Sequence, residues 1–585
     1  MKRSTTNSKQ HRCLLHAFGW LLLYTAVRVF ECPIEPAIVF ERPQEWPSSN
    51  NSTCSSELQQ SSALALWTQR ISQVVSASRL PPDRDFLLRN KVTELLRLVT
   101  PRLPLSQSTL TRQWSTLQRL QHKLQRGDEI SIVVMGGSVT MGVNCFTVKT
   151  QMRNCAWPYR LEQFLQQMGL KTVKVYNFAI AGSNTATGTA LLSFLSDYLP
   201  QPPDIIINAY ATNDMHVQSI LQAQSSNRTL RELVFDMSQE FVRAALSSCG
   251  QPPLLLWLDD YLGNEQPEIL ATTALTQNIH VLSQYYGFSF LSYANLARDL
   301  VYGDTHESVF SPGKWYATPT SKMQREIHPS QSMHMVTAWL VAYHLLVLTT
   351  QTCTLDSWQV HDYERTLRYN DHVPPGLSAL EMDETKFPRW PKMPRPVPSD
   401  RLPPKLTPDL TLEQVTDVWR STETSSAACS TTCPFVWVSG LSLHHPPLSA
   451  KAEYRAIQSL FQNVLESSSW TLMDDTTRGD KLGWMPGPVG SKMVFQLPTT
   501  APTQITLFYL KSYGPKWDNS TVHVTLESSS ASHSFALTGF HNKKTSEMYI
   551  HTVEPGTYSK MTFEFVQGTT FKLMGVAMCH DKKKE

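Results

Sequence analysis

The chain predicts an α/β domain built on a parallel sheet, followed by a small all-β sandwich. Three observations carry that expectation. Between Glu129 and about Thr352, short apolar runs alternate with amphipathic stretches, the pattern of strands covered by helices. After about Ser425 the runs become alternating or β-branched and lie between turn-rich segments. Between these regions, from 355 to about 425, ten prolines from Pro374 to Pro408 make a semi-rigid linker with aromatics such as Trp390.

The elements follow in chain order. Lys2, Arg3, Lys9 and Arg12 precede an apolar stretch, Cys13 to Phe30, whose cleanest core is Ala17 to Val27. This is the form of a signal peptide or a short signal anchor, with the basic flank in the cytosol and the rest translocated. No convincing small-x-small cleavage site follows, which favours a single uncleaved N-terminal membrane anchor. Residues 31 to about 60 are rich in Pro, Ser and Asn and read as a stem. From Leu58 to about Gln125 the spacing is helical, as in Phe86, Leu87, Val92, Leu95, Leu96 and Leu98, broken by Pro101 and Pro104. Domain limits are set at 1–30 (tail and anchor), 31–124 (stem and helical lead-in), 125–352 (α/β domain), 353–424 (linker) and 425–585 (sandwich).

Within the α/β region, strands are expected at Ser131–Met135, Val173–Phe178, Asp204–Asn208, Pro253–Leu258 and Phe288–Leu291. Helices are expected at Pro158–Met168, Ala190–Tyr198, Leu230–Leu246, His280–Tyr286 and Gln331–Leu348. In the sandwich, Lys492–Leu497, Gln504–Leu510, Val522–Leu526 and Lys560–Val566 read as strands.

Composition excludes some classes and favours others. Hydrophobic residues make up 41% of 585 residues, enough for real cores, and the net charge is only +3. No basic stripe interleaves with aromatics, so nucleic acid is not an expected partner. Lys582–Lys584 is a solvated tail; it would be a dilysine retrieval signal only if the C-terminus were cytosolic. Asn50, Asn51, Asn227 and Asn519 open glycosylation sequons. Ten cysteines contain no C-x-x-C pair, so neither a zinc ribbon nor a thioredoxin-type site is expected. In an oxidising lumen they pair. Cys145 and Cys155 can close a small loop, and Cys429, Cys433 and Cys579 can tie the ends of the sandwich. Cys13 lies in the apolar segment, so nine remain and at least one is left over. The compartment expected is the secretory pathway: ER or Golgi membrane with a luminal domain, or secreted.

Four segments carry chemistry. The run Ile132–Met135 ends at Gly136-Gly137-Ser138, a buried strand that stops at a tight turn and presents a hydroxyl. Val175–Phe178 leads to Ala181-Gly182, where Gly182 offers an unobstructed backbone N–H. Ile205–Asn208 leads to Asn213-Asp214, where the Asn213 amide is a donor. His328 precedes Pro329, which fixes the start of the last helix. Acyl transfer needs a serine, a base to take its proton, and donors where the oxyanion develops. Taken singly, each residue has an ordinary reading: Gly182 as a turn glycine, Asn213 as a cap, and His328 as a surface or capping histidine. His334 is assigned to helix packing or a supporting role. Asp259 and Asp260 are expected to cap the next turn, with substrate contact as the alternative. Asp304 with His306 is a weaker acid–base pair. Nothing has metal-ligand spacing, and no cofactor is expected.

Together the four segments resemble the blocks of the SGNH (GDSL-type) hydrolase superfamily, over roughly residues 125–350. The resemblance implies a flavodoxin-like three-layer fold, with Ser138 as nucleophile, His328 as base, and Gly182 and Asn213 in the oxyanion hole. It implies an ester hydrolase or acyltransferase acting on O-acylated, possibly O-acetylated, glycans. Three positions depart from the pattern. Gly137 replaces the usual Asp, Ala211 the usual Gly, and Arg325 stands where the triad acid is usual. The orienting acid is then Glu326, a distant acid, or none. If none serves, the alternative is a catalytically impaired glycan-binding protein of the same fold; a membrane-tethered scaffold is a third reading. The sandwich texture, with Trp484, Tyr509 and Tyr513, resembles β-modules that accompany such hydrolases in algal and protist proteins. An exposed aromatic there can stack on a sugar, but at least two of these three are expected in the core.

Overall fold

The computed structural model describes most of residues 113–293, residues 328–329 and 331–354, Lys405 and Leu406, and most of 431–581. The expected anchor, stem and most of the proline-rich linker lie outside these residues. So do Arg325, Glu326, Asp304, His306, Cys429 and the sequons at Asn50, Asn51 and Asn227. No helix among the described residues is long and apolar enough to cross a membrane.

Helix α1 (Trp114–Arg126) leads into strand β1 (Ile130–Gly136). Short helices α2 (Ser138–Met141) and α3 (Met152–Cys155) precede α4 (Trp157–Gln167). Then β2 (Val173–Asn177), α5 (Thr185–Leu195), β3 (Ile205–Ala209), α6 (Ala211–Asp214) and α7 (Leu230–Leu246) follow. Strand β4 (Leu254–Asp259), α8 (Gln266–Tyr286), β5 (Ser289–Ser292) and α9 (Gln331–Thr354) complete this part. The strands are parallel in the order β2-β1-β3-β4-β5. That is the flavodoxin-like order, and its switch point lies between β1 and β3.

Every residue of β1, β3 and β4 is buried, because helices cover both faces. One face packs Ile132, Val134 and Ile207 against Leu117, Leu120, Trp157 and the apolar stripe of α9. Each such buried aliphatic contributes about 1.5–3 kcal/mol. The other face packs Val133, Ile206 and Leu255 against α5, α7 and α8. Two helices start earlier than their patterns suggest. Helix α5 begins at Thr185 rather than Ala190, although Thr185, Thr187 and Gly188 are poor helix formers. A remote carboxylate supplies the difference: Asp214 accepts from the Thr185 N–H at 2.9 Å and its hydroxyl at 2.7 Å. Helix α8 begins at Gln266 rather than His280.

The C-terminal part is a two-sheet sandwich. Its strands are β6 (Thr431–Val438), β7 (Leu465–Ser468), β8 (Trp470–Asp474), β9 (Leu482–Pro486), β10 (Lys492–Gln496), β11 (Thr503–Lys511), β12 (Thr521–Glu527), β13 (Ser532–Thr538), β14 (Glu547–Gly556), β15 (Lys560–Gln567) and β16 (Leu573–Asp581). One sheet runs β13-β12-β15-β10-β7; the other runs β14-β11-β16-β9-β8, with β6 on β16. Met493, Phe495, Val522 and Phe563 of the first sheet meet Ile505, Leu507 and Val576 of the second in one core. The region read as all-β also contains a helix, α10 (Ala450–Phe461), whose Phe461 is buried among Phe435, Trp437, Trp484 and Phe495.

Among the described residues there are two disulfides, Cys145–Cys155 and Cys433–Cys579. The second ties β6 to β16. Asn519 is exposed with φ of 56°, in the turn before β12. The sandwich shares an apolar core with the second face of the parallel sheet: Val436, Phe508 and Met548 pack with Phe194, Leu191 and Tyr210. The rings of Phe194 and Phe508 meet edge to face at 6.5 Å.

Candidate active site

Strand order decides where the site forms. β1 lies between β2 and β3, so the turns leaving all three converge at their carboxyl ends. Ser138 follows β1, Gly182 follows β2 and Asn213 follows β3. His328 enters from the segment before α9, and its Nε2 lies 3.0 Å from the Ser138 Oγ. That is hydrogen-bond distance between a hydroxyl and a base. Ser138, Gly182, Asn213 and His328 are each half-buried, so the group is open to solvent on one side.

The departure at Gly137 has a spatial reason. A Cβ at this position would lie 1.9 Å from the Asn213 Oδ1 and 2.6 Å from its Cγ. The Asn213 amide therefore lies directly against the Gly137 backbone, in space that an aspartate would fill. The backbone there is extended, φ −92° and ψ −153°, so the conformation itself does not demand glycine.

Buried polar groups stitch the three turns together. The Thr140 hydroxyl donates to the Ala209 carbonyl at 3.2 Å, joining α2 to β3. The Ser183 hydroxyl donates to the Ile180 carbonyl at 2.6 Å and the Gly136 carbonyl at 3.2 Å, joining the Gly182 turn to β1. Asp214 holds Thr185, and the Asn208 amide donates to the Thr185 hydroxyl at 3.2 Å. Asp260 accepts from the Thr212 N–H at 3.1 Å and its hydroxyl at 3.0 Å, one residue before Asn213. Asp259 accepts from Thr276 at 2.8 Å and Ser292 at 3.0 Å. Asp259 and Asp260 thus brace neighbouring elements across the sheet instead of capping the next turn.

The Asp214 and Asp260 carboxyls are buried, and desolvation is the largest influence on both. Burial pushes the Asp214 carboxyl up to about 7, against the lowering effect of the Thr185 hydrogen bonds. Burial likewise pushes Asp260 up to about 7, against the Thr212 hydrogen bonds and with Asp259 and Asp214 adding to the rise. His334, one turn into α9, is buried, and its Nδ1 accepts from the Trp157 N–H at 3.3 Å. Burial lowers its pKa to about 3, helped by Arg160 and His328, so it stays neutral. His334 supports the packing of α9 against α4, as its place in the sequence suggests.

The second flank is held from outside the sheet. Gly182 has φ of +83°, the left-handed region that favours glycine. Its carbonyl accepts from the Met548 N–H at 2.8 Å. A Cβ on Gly182 would lie 2.7 Å from the Ser546 carbonyl oxygen. β14 is an edge strand of its sheet, so its outward N–H is free to cross to the parallel-sheet side. Arg153 of α3 adds a second clasp: it donates to the Asn177 and Ala179 carbonyls at 2.9 and 3.2 Å, and to Gly440 after β6. Cys155, two residues on, ties α3 to the segment after α2 through Cys145.

The carboxyl edge of a parallel α/β sheet thus carries a serine, a histidine, a glycine and an asparagine on neighbouring turns. Residues 132–339 match the family model described as GDSL-like Lipase/Acylhydrolase. That segment runs from β1 to the middle of α9. No curated protein matches the chain. Among solved structures, the chain is similar to a two-domain esterase active on acetylated mannans (13% identity, 81% of this chain and 96% of that one, TM-score 0.42). It is also similar to an acetylxylan esterase from Geobacillus stearothermophilus (12% identity, 37% and 94%, TM-score 0.29) and to an SGNH-hydrolase family esterase (17% identity, 28% and 75%, TM-score 0.22).

Proposed function

We propose that the protein is a serine ester hydrolase or acyltransferase acting on O-acylated glycans, with Ser138 as nucleophile and His328 as general base. The observation that carries this reading is the 3.0 Å contact between the His328 Nε2 and the Ser138 Oγ. The Ser138 Oγ attacks the ester carbonyl as His328 takes its proton. The Ser138 N–H, the Gly182 N–H and the Asn213 amide receive the oxyanion. Collapse breaks the ester bond, and His328 returns its proton to the departing sugar hydroxyl. Water or a second hydroxyl, deprotonated by His328, then takes the acyl group from Ser138, and His328 returns that proton to the departing Ser138 Oγ. The glycan as alcohol component is supported by the signs of a secretory route, namely two disulfides and the exposed sequon at Asn519.

The test is labelling of the purified luminal region with a fluorophosphonate probe, followed by acetate release from O-acetylated oligosaccharides. Wild type should label, and Ser138→Ala and His328→Ala should each lose at least about a thousandfold in rate. A folded wild type that takes no label would overturn the enzyme and leave the glycan-binding alternative.

A further inference from the structure

From Thr212 onward, each residue of α6 meets a different turn at the carboxyl edge of the sheet. Thr212 bonds to Asp260, which follows β4, and Asn213 lies against Gly137, which follows β1. Asp214, the last residue of the helix, reaches the turn that follows β2. Its Oδ1 accepts from the Thr185 N–H at 2.9 Å and its Oδ2 from the Thr185 hydroxyl at 2.7 Å. Asp214 is the chain neighbour of Asn213, and Thr185 opens α5 just after Gly182-Ser183-Asn184. One buried carboxyl therefore joins the Asn213 flank of Ser138 to the Gly182 flank.

The joint closes into a ring. A hydroxyl has one proton to give, and that of Thr185 goes to Asp214 while its oxygen accepts from the Asn208 amide at 3.2 Å. The Asn208 Oδ1 accepts from the Tyr210 N–H at 3.2 Å. The Tyr210 carbonyl accepts from the N–H groups of Asn213 and Asp214 at 2.8 and 2.9 Å, which returns the ring to its start. Thr185, Asn208, Tyr210 and Asp214 are all buried. A satisfied polar network of this kind, away from water, holds its members in one arrangement. The Tyr210 ring also lies against α5 at Gly188, where a Cβ would meet it at 2.6 Å, so α5 is seated at a second point. The stretch from Gly182 to Thr185 is thus held by Met548 at one end and by Asp214 at the other.

We propose that Asp214 is a positioning residue that sets the spacing of Asn213 and Gly182 around Ser138, so that both donors meet the same oxyanion. The proposal rests on the serine ester chemistry of the preceding subsection. An oxyanion is a single atom, and donors on two separate turns serve it only if their placement is fixed to about half an ångström. Strand order brings the two turns to one edge, but it does not set their spacing that finely. The carboxyl does, because it is bonded through its own chain to one turn and through two hydrogen bonds to the other. A carboxylate at the start of α5 also favours that helix. That effect alone would change stability without changing how the oxyanion is held, and the two roles are separable.

The test compares two esters on the full chain. Attack on p-nitrophenyl acetate puts charge on oxygen, whereas attack on p-nitrophenyl thionoacetate puts it on sulfur, a weak hydrogen-bond acceptor. Oxyanion donors therefore raise the oxygen-to-sulfur ratio of kcat/KM, while a general structural defect lowers both rates and leaves the ratio alone. Asp214→Ala should lower the ratio about 10–100-fold, in the direction of the control Asn213→Ala. Asp214→Asn keeps the side-chain shape, an acceptor for the Thr185 N–H and a polar contact to the Thr185 oxygen, so it should restore most of the ratio. Thr185→Val, which removes only the hydroxyl, should lower it about threefold. An unchanged ratio in Asp214→Ala, or in Thr185→Val should the alanine variant not fold, would overturn the positioning role. Equal losses on the two esters would overturn it too, and leave Asp214 as a cap of α5. These outcomes presuppose a wild type that takes the fluorophosphonate label and leave its serine chemistry standing. A folded wild type without label would instead overturn the serine chemistry, and the positioning role with it.

Discussion

Asn213 and Gly182 flank the same serine, yet different parts of the molecule hold them. Asn213 is held within the sheet domain: its amide lies against Gly137, and Asp260 grips Thr212 beside it. Gly182 is held partly from the sandwich, through Met548 and the Ser546 carbonyl. The first flank is a product of strand order and local packing. The second depends on how a distant edge strand docks, since Met548 packs in the core shared by both parts. One flank is therefore local in origin and the other is a domain-docking property, and substitutions should separate them.

The largest effect is expected on the local flank. Gly137→Ala adds one methyl group that the backbone tolerates but the Asn213 side chain does not. Asn213 must leave its place, so activity on p-nitrophenyl acetate should fall about 10²–10³-fold, as for Asn213→Ala. The double variant should be no worse than either single one, since both remove the same donor. Thermal stability should stay close to wild type. Full activity in Gly137→Ala would mean that Asn213 contributes nothing where it lies.

Gly182→Ala tests the docked flank. The left-handed backbone costs about 1–2 kcal/mol for a residue with a Cβ, and the Cβ meets the Ser546 carbonyl at 2.7 Å. The turn and β14 must separate. Activity should fall about 10–100-fold, because displacement of an aligned group by an ångström has that order of effect. The melting temperature should fall by several degrees, unlike that of Gly137→Ala. A rate loss without any loss of stability would show that β14 does not brace the turn.

The same division governs what was legible in the sequence. That Ser138, Gly182, Asn213 and His328 stand at element ends was readable because each follows a short apolar run or precedes a proline. Strands β1 to β5 were readable within a residue or two for the same reason. The tie from Met548 to Gly182 was not readable: it is a backbone hydrogen bond between segments with no pattern in common. Asp214 and Thr185 were missed because a helix opening on Thr-Ala-Thr-Gly looks unfavourable until the distant carboxylate is known. Helix α10 was missed because its apolar positions sit among strands with similar hydrophobicity. For Asp260 a signal did exist, namely an acid placed directly after a strand too apolar to leave it in water.

Asp260→Asn gives the smallest effect and the cleanest reading of the local brace. The Asn Oδ1 keeps both hydrogen bonds from Thr212, while the second Asp260 oxygen has no hydrogen-bond partner to lose. The folded pKa of Asp260, about 7, lies above the ordinary 3.8. A group raised in this way favours the folded state fully below pH 3.8, and that contribution is lost as pH rises through about 7. Asparagine carries no proton to lose. The stability of Asp260→Asn relative to wild type should therefore improve between pH 4 and pH 7.5, by about 1–3 kcal/mol, and then level off. His334 works in the opposite sense, since its lowered pKa costs stability as pH falls below 6.5 toward 3. Both proteins share that loss, so it cancels in the difference. Denaturant unfolding at a series of pH values reads the slope directly. A difference that does not change with pH would mean that Asp260 is as ionised when folded as when unfolded, and the brace beside Asn213 would then be a charged one.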